Sequence, residues 1–324
     1  MKRFTILALA ALLLAALPPT AAMAKTFTVS VNQFVEHPAL DAALKGFQDY
    51  LKERGVDVEY KVHNAQANMA TANQIAQAIA GERPDLVYAI ATPSAQTCAQ
   101  IVKKAPHMAE VPLIFAAVTD PAGAGLVRDI AAPGANVTGV SDMTPVDKHV
   151  DMIMEFIPSL KELGVVYNSG EANSKTLVDM LRKACTAKGV TLVEATASKT
   201  ADVYQATKSL GGRVQAVYAP TDNTVVAAIE SMVKVCQQNS MPLFAADVGS
   251  VPRGAVAALG FDYYLHGRQA GAMAERILVG GQTPAATPVE FQEGMTLHLN
   301  LPAAKAQGVE IPEALKARAD KIIE

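Results

Sequence analysis

Polar side chains gather where the apolar runs of this sequence end. Asn32-Gln33-Phe34-Val35-Glu36-His37 follows the first run, Thr92-Pro93-Ser94-Ala95 the third and Thr119-Asp120 the fourth. Farther on stand Asn168-Ser169-Gly170-Glu171-Ala172-Asn173-Ser174, Pro220-Thr221-Asp222-Asn223 and Ala246-Asp247. Helix capping accounts for one Ser, Thr, Asp or Asn at each place. It does not account for Asn173 and Ser174 beside Glu171, or for Asp247 ahead of Val248-Gly249-Ser250. Hydroxyls and helix-start N–H groups at Thr92, Ser94, Ala95, Asn168 and Ser174 suit a carboxylate, whereas Asp247, Asp222 or Asp120 suits an ammonium. A small zwitterion needs both kinds of partner once its charges leave water. Phe34 and Tyr263 could wall an apolar side chain. The expected binding set is Gln33, Phe34, Thr92, Ser94, Ala95, Thr119, Asp120, Asn168, Glu171, Asn173, Ser174, Thr221, Asp222, Asn223 and Asp247.

Bond-making chemistry finds less support. Gly123-Ala124-Gly125-Leu126-Val127-Arg128 starts like a dinucleotide fingerprint, but it lacks the third glycine and no strand feeds it. There is no Walker sequence and no G-x-S-x-G elbow. The six histidines are scattered without a paired spacing, and His37 before Pro38 reads as helix punctuation. Cys98, Cys185 and Cys236 lie far apart in helical patterns and read as buried thiols, although export would permit one disulfide among them. Neither a metal nor a cofactor is expected, and the chain does not read as an enzyme.

Positioning those turns requires alternating strands and helices. Leu86–Ile90 is a short apolar run of the kind buried in parallel sheets, followed by Thr92 as a helix N-cap and Pro93 at the first helical position. Pro38–Arg54 carries Leu40, Leu44, Phe47 and Leu51 on one stripe. Strand–helix alternation implies right-handed crossovers and parallel sheets, whose ligand sites lie beyond the strand ends. The rhythm breaks between Thr119 and Pro145, a stretch rich in Gly and Pro, where a crossover between two lobes is expected. The first lobe is assigned residues 25–141 plus 255–282, so that strand Ala255–Gly260 and helix Tyr263–Leu278 return to it. The second lobe is assigned residues 142–254 plus 283–324.

The first 24 residues read as an export signal. Lys2 and Arg3 precede the apolar run Ile6–Leu17, and Ala22-Met23-Ala24 is a small-x-small cleavage sequence. Cleavage after Ala24 leaves Lys25 at the N-terminus of an exported, periplasmic chain. Removing Lys2 and Arg3 leaves 26 basic against 31 acidic residues, a formal charge of −5. That balance, without basic runs, argues against nucleic acid or an anionic membrane as partner. Three hundred residues exceed one comfortable core, which again favours two lobes. A monomer is expected.

Several segments together carry a resemblance. Gln33–Asp41, Ala89–Pro93, Ala117–Pro121, Ser141–Pro145, Tyr167–Ser174, Pro220–Thr224 and Gly260–Tyr264 are similar, in the same order, to the substrate-binding proteins of ABC transporters of the tryptophan/tyrosine-type family. The resemblance spans nearly the whole exported chain. It implies a type I periplasmic-binding-protein fold, two Rossmann-like α/β lobes with parallel sheets joined by three crossovers and closing on a ligand. It further implies a receptor that captures an L-amino acid, aromatic in several members, and delivers it to an ABC permease in the inner membrane. The absence of Trp leaves aromatic stacking to Phe34, Tyr263 or another ring, so a branched-chain ligand stays open. A ligand sensor for a membrane receptor is the rival role on the same fold.

Overall fold

The computed structural model describes residues 25–324; the expected export signal and expected cleavage after Ala24 lie outside the described residues. The first lobe begins with β1 (Phe27–Gln33), α1 (Pro38–Glu53), β2 (Val58–Asn64), α2 (Met69–Glu82), β3 (Leu86–Ile90), α3 (Thr92–Lys104), β4 (Leu113–Val118) and β5 (Val137–Ser141). The chain then crosses to the second lobe: α4 (Val146–Phe156), β6 (Glu162–Tyr167), α5 (Ala172–Ala187), β7 (Thr191–Thr196), α6 (Val203–Lys208), β8 (Ala216–Ala219), α7 (Asn223–Ala227), α8 (Ile229–Gln238), β9 (Leu243–Ala245) and β10 (Ala257–Gly260). Next come α9 (Tyr263–Leu278), β11 (Glu290–Phe291), β12 (Thr296–Asn300), α10 (Leu301–Ala306), α11 (Glu313–Arg318) and β13 (Lys321–Ile323).

Two sheets result, ordered β11-β5-β4-β3-β1-β2 and β13-β12-β10-β9-β8-β6-β7. Every pairing is parallel except β10 with β12. The continuous apolar runs lie centrally: every residue of β3, β4, β8 and β9 is buried. Edge strands β2 and β7 alternate exposed and half-buried positions, because only one of their faces is covered. Helices cover both faces of each sheet. In the first lobe α1 and α9 pack on one face, with Phe47 stacked on Tyr88 at 4.0 Å, and α2 and α3 on the other. In the second lobe α4 and α5 face α7 and α8 through the sheet.

Two strands lie in the opposite lobe from the one expected. β10 pairs with β9 and β12 in the second sheet, and only α9 returns to the first lobe. β11 pairs with β5 in the first sheet, although residues 283–324 were assigned to the second lobe. β10 is a short apolar strand that fits the interior of either sheet, and β11, Glu290-Phe291, is a two-residue edge strand, so neither sequence chooses between the sheets. The return of α9 has a visible cause. A Cβ on Gly46 would stand 2.0 Å from the Tyr264 carbonyl oxygen, and one on Gly267 1.9 Å from that of Ala43. Glycine on both helices lets α1 and α9 meet backbone to backbone.

The lobes are therefore joined by three crossovers, after β5, β10 and β11. Hydrogen bonds tie these together. Tyr263 donates to Asp142 at 2.6 Å, Gln292 Nε2 to the Asp262 carbonyl at 2.8 Å, and His266 Nδ1 lies 2.9 Å from Gln292 Oε1. Cys98, Cys185 and Cys236 are free and buried, and burial pushes their thiols up to about 12, 11 and 12.

Candidate functional site

The strand ends of the two sheets meet around a narrow cavity lined from both lobes. From the first lobe, the β1–α1 turn supplies His37, the first turn of α1 supplies Ala39 and Leu40, β4 supplies Ala117 and α9 supplies Tyr263; Asp142 comes from the first crossover. From the second lobe, the β8–α7 turn supplies Thr221, Asp222, Asn223 and Val226, and the end of β9 supplies Asp247. Local geometry sets these positions. Pro38 starts α1 directly after His37, and Asp222 caps α7 by accepting from Val225 N–H. Ala117 is held at φ +54°, a backbone region alanine seldom adopts, and its N–H donates to His266 Nε2 at 2.9 Å.

Three carboxylates line this space and, among the described residues, no lysine or arginine does. Asp142 accepts from Tyr263 OH and, at 3.2 Å, from Thr119 Oγ1. Asp247 accepts from Ser250 N–H at 3.0 Å and Ser250 Oγ at 2.6 Å, and burial pushes its carboxyl upward. Asp222 accepts from Asn168 N–H, Ser174 Oγ and Val225 N–H; burial raises its carboxyl, and the neighbouring Glu171 adds to the shift. Burial, together with the Asp142 carboxylate, holds the Tyr263 phenol well above its ordinary value. Burial and the Arg253 guanidinium push His37 down to about 3, so its ring is neutral. Two buried polar atoms on the cavity residues have no partner: His37 Nδ1 and Thr221 Oγ1. The surplus of buried carboxylate calls for a cationic group on whatever fills the space.

Of the residues expected from sequence, Thr221, Asp222, Asn223 and Asp247 line the cavity, together with Tyr263. A second rank stands behind them. Asn168 Nδ2 donates to Thr224 Oγ1, Ser174 Oγ to Asp222, and Asn173 Nδ2 to the Thr221 carbonyl. Glu171 accepts from the N–H and side-chain groups of both Asn223 and Thr224. Thr119 stands behind Asp142 in the same way. The remainder lie elsewhere. Gln33 donates to Asp41 and to the Val35 carbonyl, Ser94 to Asn32, and Asp120 accepts from Gly123 N–H in its own loop. Phe34 and Ala95 are buried in the two apolar clusters of the first lobe, so Phe34 is core and not a cavity wall. Thr92 is not the cap of α3. Ala91, at φ +79°, takes that position and leaves the buried Thr92 hydroxyl without a partner. Asp142 and His37 line the cavity but stand outside the binding set expected from sequence. Asp142 obeys the same rule as the others, a polar residue directly after a strand.

Apolar contact also crosses the cleft, since Ala227 packs against the first-lobe cluster. Relatives share this architecture. A tyrosine-binding protein of Clostridioides difficile (strain R20291) is 38% identical over 270 residues, 81% of this chain and 76% of that protein. A crystal structure of a conserved domain protein from Vibrio cholerae superposes with a TM-score of 0.88 at 44% identity, covering 92% of this chain and all of that one. A Streptococcus pneumoniae structure in complex with L-Trp gives 0.87 at 31% identity, again over 92% and 100%. The ligand-free, open structure of a substrate-binding protein with adhesive properties from Clostridium difficile gives only 0.67, at 34% identity over 92% and 99%. At similar identity, the lobes here are arranged more as in the L-Trp complex than as in the open form. The two α/β lobes match the type I periplasmic-binding-protein architecture. The model of the ABC transporter substrate-binding protein family matches residues 28–323, and the chain belongs to that family of non-catalytic receptors.

Proposed function

We propose that this protein is the receptor of an ABC importer for an aromatic L-amino acid, tryptophan or tyrosine, held between the lobes. Family membership implies a small-molecule ligand, a cognate permease and a place outside the cytoplasm. The observation that carries the choice of ligand is the cavity itself: buried carboxylates from both sides of the cleft around Tyr263, with Leu40 and Val226 as apolar lining. The ammonium sits between Asp142, which accepts from the Tyr263 phenol, and Asp247, which lines the same cavity. The tyrosine-binding relative and the L-Trp complex support an aromatic side chain. Bound ligand shifts the open–closed equilibrium, and the permease reads the closed form. Cleavage after Ala24 and a monomeric state belong to the same reading.

Calorimetry against the twenty L-amino acids tests it. One or two aromatic amino acids should bind far more tightly than the rest; a preference for leucine or valine would overturn the aromatic assignment. The chain has no Trp, so indole emission excited at the red edge comes from bound tryptophan alone.

A further inference from the structure

We propose that the N-terminus of α1, with the His37 imidazole, is the subsite for the ligand's carboxylate. This rests on the reading of the cleft as an amino-acid site.

Three residues at the start of α1 line the cavity together: His37, Ala39 and Leu40. The first N–H groups of a helix have no partner inside it, and the aligned peptides give that end a partial positive charge. In most helices a side chain at the N-cap closes this gap. Here the N-cap residue is His37, and its side chain makes no capping hydrogen bond. The residue is only 7% exposed, and its Nδ1 is buried without any partner. An unpaired buried polar atom beside uncapped N–H groups is costly unless something else meets both. A carboxylate meets both at once: one oxygen accepts from the helix start, the other from Nδ1 in the tautomer that carries the ring's single proton there.

The surroundings fit an anion here and a cation a short distance away. Arg253 is the guanidinium whose field reaches the His37 ring, and Asn223 from the second lobe stands beside it. The loop after Asp247 closes over the same helix start. A Cβ on Gly249 would stand 3.5 Å from Pro38 Cβ and 3.9 Å from Ala39 N. The Asp247 oxygens are engaged by Ser250 and leave the helix N–H groups uncapped. The zwitterionic head thus lies with its carboxylate toward α1 and its ammonium toward Asp247 and Asp142. Both lobes touch the head, so binding it favours closure. This differs from the sequence expectation, which gives the carboxylate to Thr92, Ser94 and Ala95 at the start of α3 and to Asn168 and Ser174 beside the start of α5.

The test uses the full exported chain and pairs of ligands that differ only at the carboxyl: L-tryptophan with L-tryptophanamide, and L-tyrosine with L-tyrosinamide. Wild type should bind each amide at least about 100-fold more weakly. His37→Ala should weaken the amino acid about 10- to 100-fold while changing the amide less than about threefold. His37→Asn, which keeps an N–H near the position of Nδ1, should restore most of the loss. Thermal melts of the unliganded variants control for folding. Equal losses for acid and amide in His37→Ala would overturn the proposal, as would amides that bind wild type as tightly as acids. Should a non-aromatic amino acid prove to be the ligand, the aromatic assignment falls and the same comparison, made with that amino acid and its amide, still decides this one. Silence from all twenty amino acids would overturn both.

Discussion

Replacing Asp247 or Asp142 by asparagine removes one negative charge from the cleft and little else. In Asp247→Asn the side chain keeps an oxygen for Ser250 N–H, and the Ser250 hydroxyl can turn to accept from the new amide. In Asp142→Asn the side chain can likewise keep Thr119 and Tyr263 as neighbours, because both hydroxyls rotate. Folding should therefore be nearly unaffected, and the effect should fall on binding. A hydrogen bond to a buried charged group contributes about 1.5–3 kcal/mol, which corresponds to about 10- to 150-fold in affinity for each carboxylate. The two act on one ammonium, so their effects should not add. In the double variant the ammonium is left buried without a counter-charge and the loss should exceed either single loss, as for other truncated buried ion pairs. Calorimetry on wild type, the two single variants and the double variant forms a cycle whose coupling term should be at least about 1 kcal/mol. The assay has an internal check on mechanism. The loss should vanish for a ligand without an amine, such as indole-3-propionate, whose weak affinity should be unchanged or tightened in the variants, because each removes a negative charge that faces no ammonium. If both single variants bind within about twofold of wild type while their melting is unchanged, the ammonium does not lie between these residues, and Asp222 is the next carboxylate to examine.

Other consequences can be checked separately. Glu171→Gln should lower stability by about 2 kcal/mol, because the carboxylate accepts from four groups of Asn223 and Thr224; an unchanged melt with lost affinity would return Glu171 to direct ligand contact. Gly267→Ala should cost about 1–3 kcal/mol or more, since its Cβ would meet the Ala43 backbone, whereas Gly81→Ala in α2, with nothing near, should stabilise by about 0.5–1 kcal/mol. His149 is fully buried in the second lobe, with Nδ1 2.6 Å from Tyr218 OH, and burial lowers its pKa to about 4. Its depressed value means that the unfolded chain takes up the proton first, so stability is lost as pH falls from 6.5 toward 4. The loss is about 2 kcal/mol by about pH 5. Urea unfolding at neutral pH and at that acidic pH should show a drop smaller by that amount in His149→Gln, and an equal drop would refute the linkage.

Much of the scaffold could be read from periodicity alone. The uninterrupted apolar runs at Leu86–Ile90 and Ala216–Ala219 lie in the middle of their sheets, where a strand is covered on both faces. The stripe of Leu40, Phe47 and Leu51 faces the core of the first lobe. Lobe membership of β10 and β11 is not legible, since it rests on strand pairings that local pattern does not name, β10 with β9 and β12, and β11 with β5. At the cleft, strand-end polarity singled out Asp222 and Asp247 but could not rank cavity residues above those behind them. Asn168, Ser174 and Glu171 have the composition of a binding set, yet their hydrogen bonds run to Asp222, Asn223 and Thr224. His37 was hidden by the proline after it, which explains a helix start equally well. Only the absence of a capping bond reveals what its ring leaves open.

The thiols have a practical corollary. With Cys98, Cys185 and Cys236 sealed inside and held protonated, the folded protein should stay silent toward maleimides. One cysteine introduced at the exposed position Leu265, near the crossovers, would then be the single labelling point for a dye. The molecule is in that sense a blank chassis for an optical reporter of its own cargo.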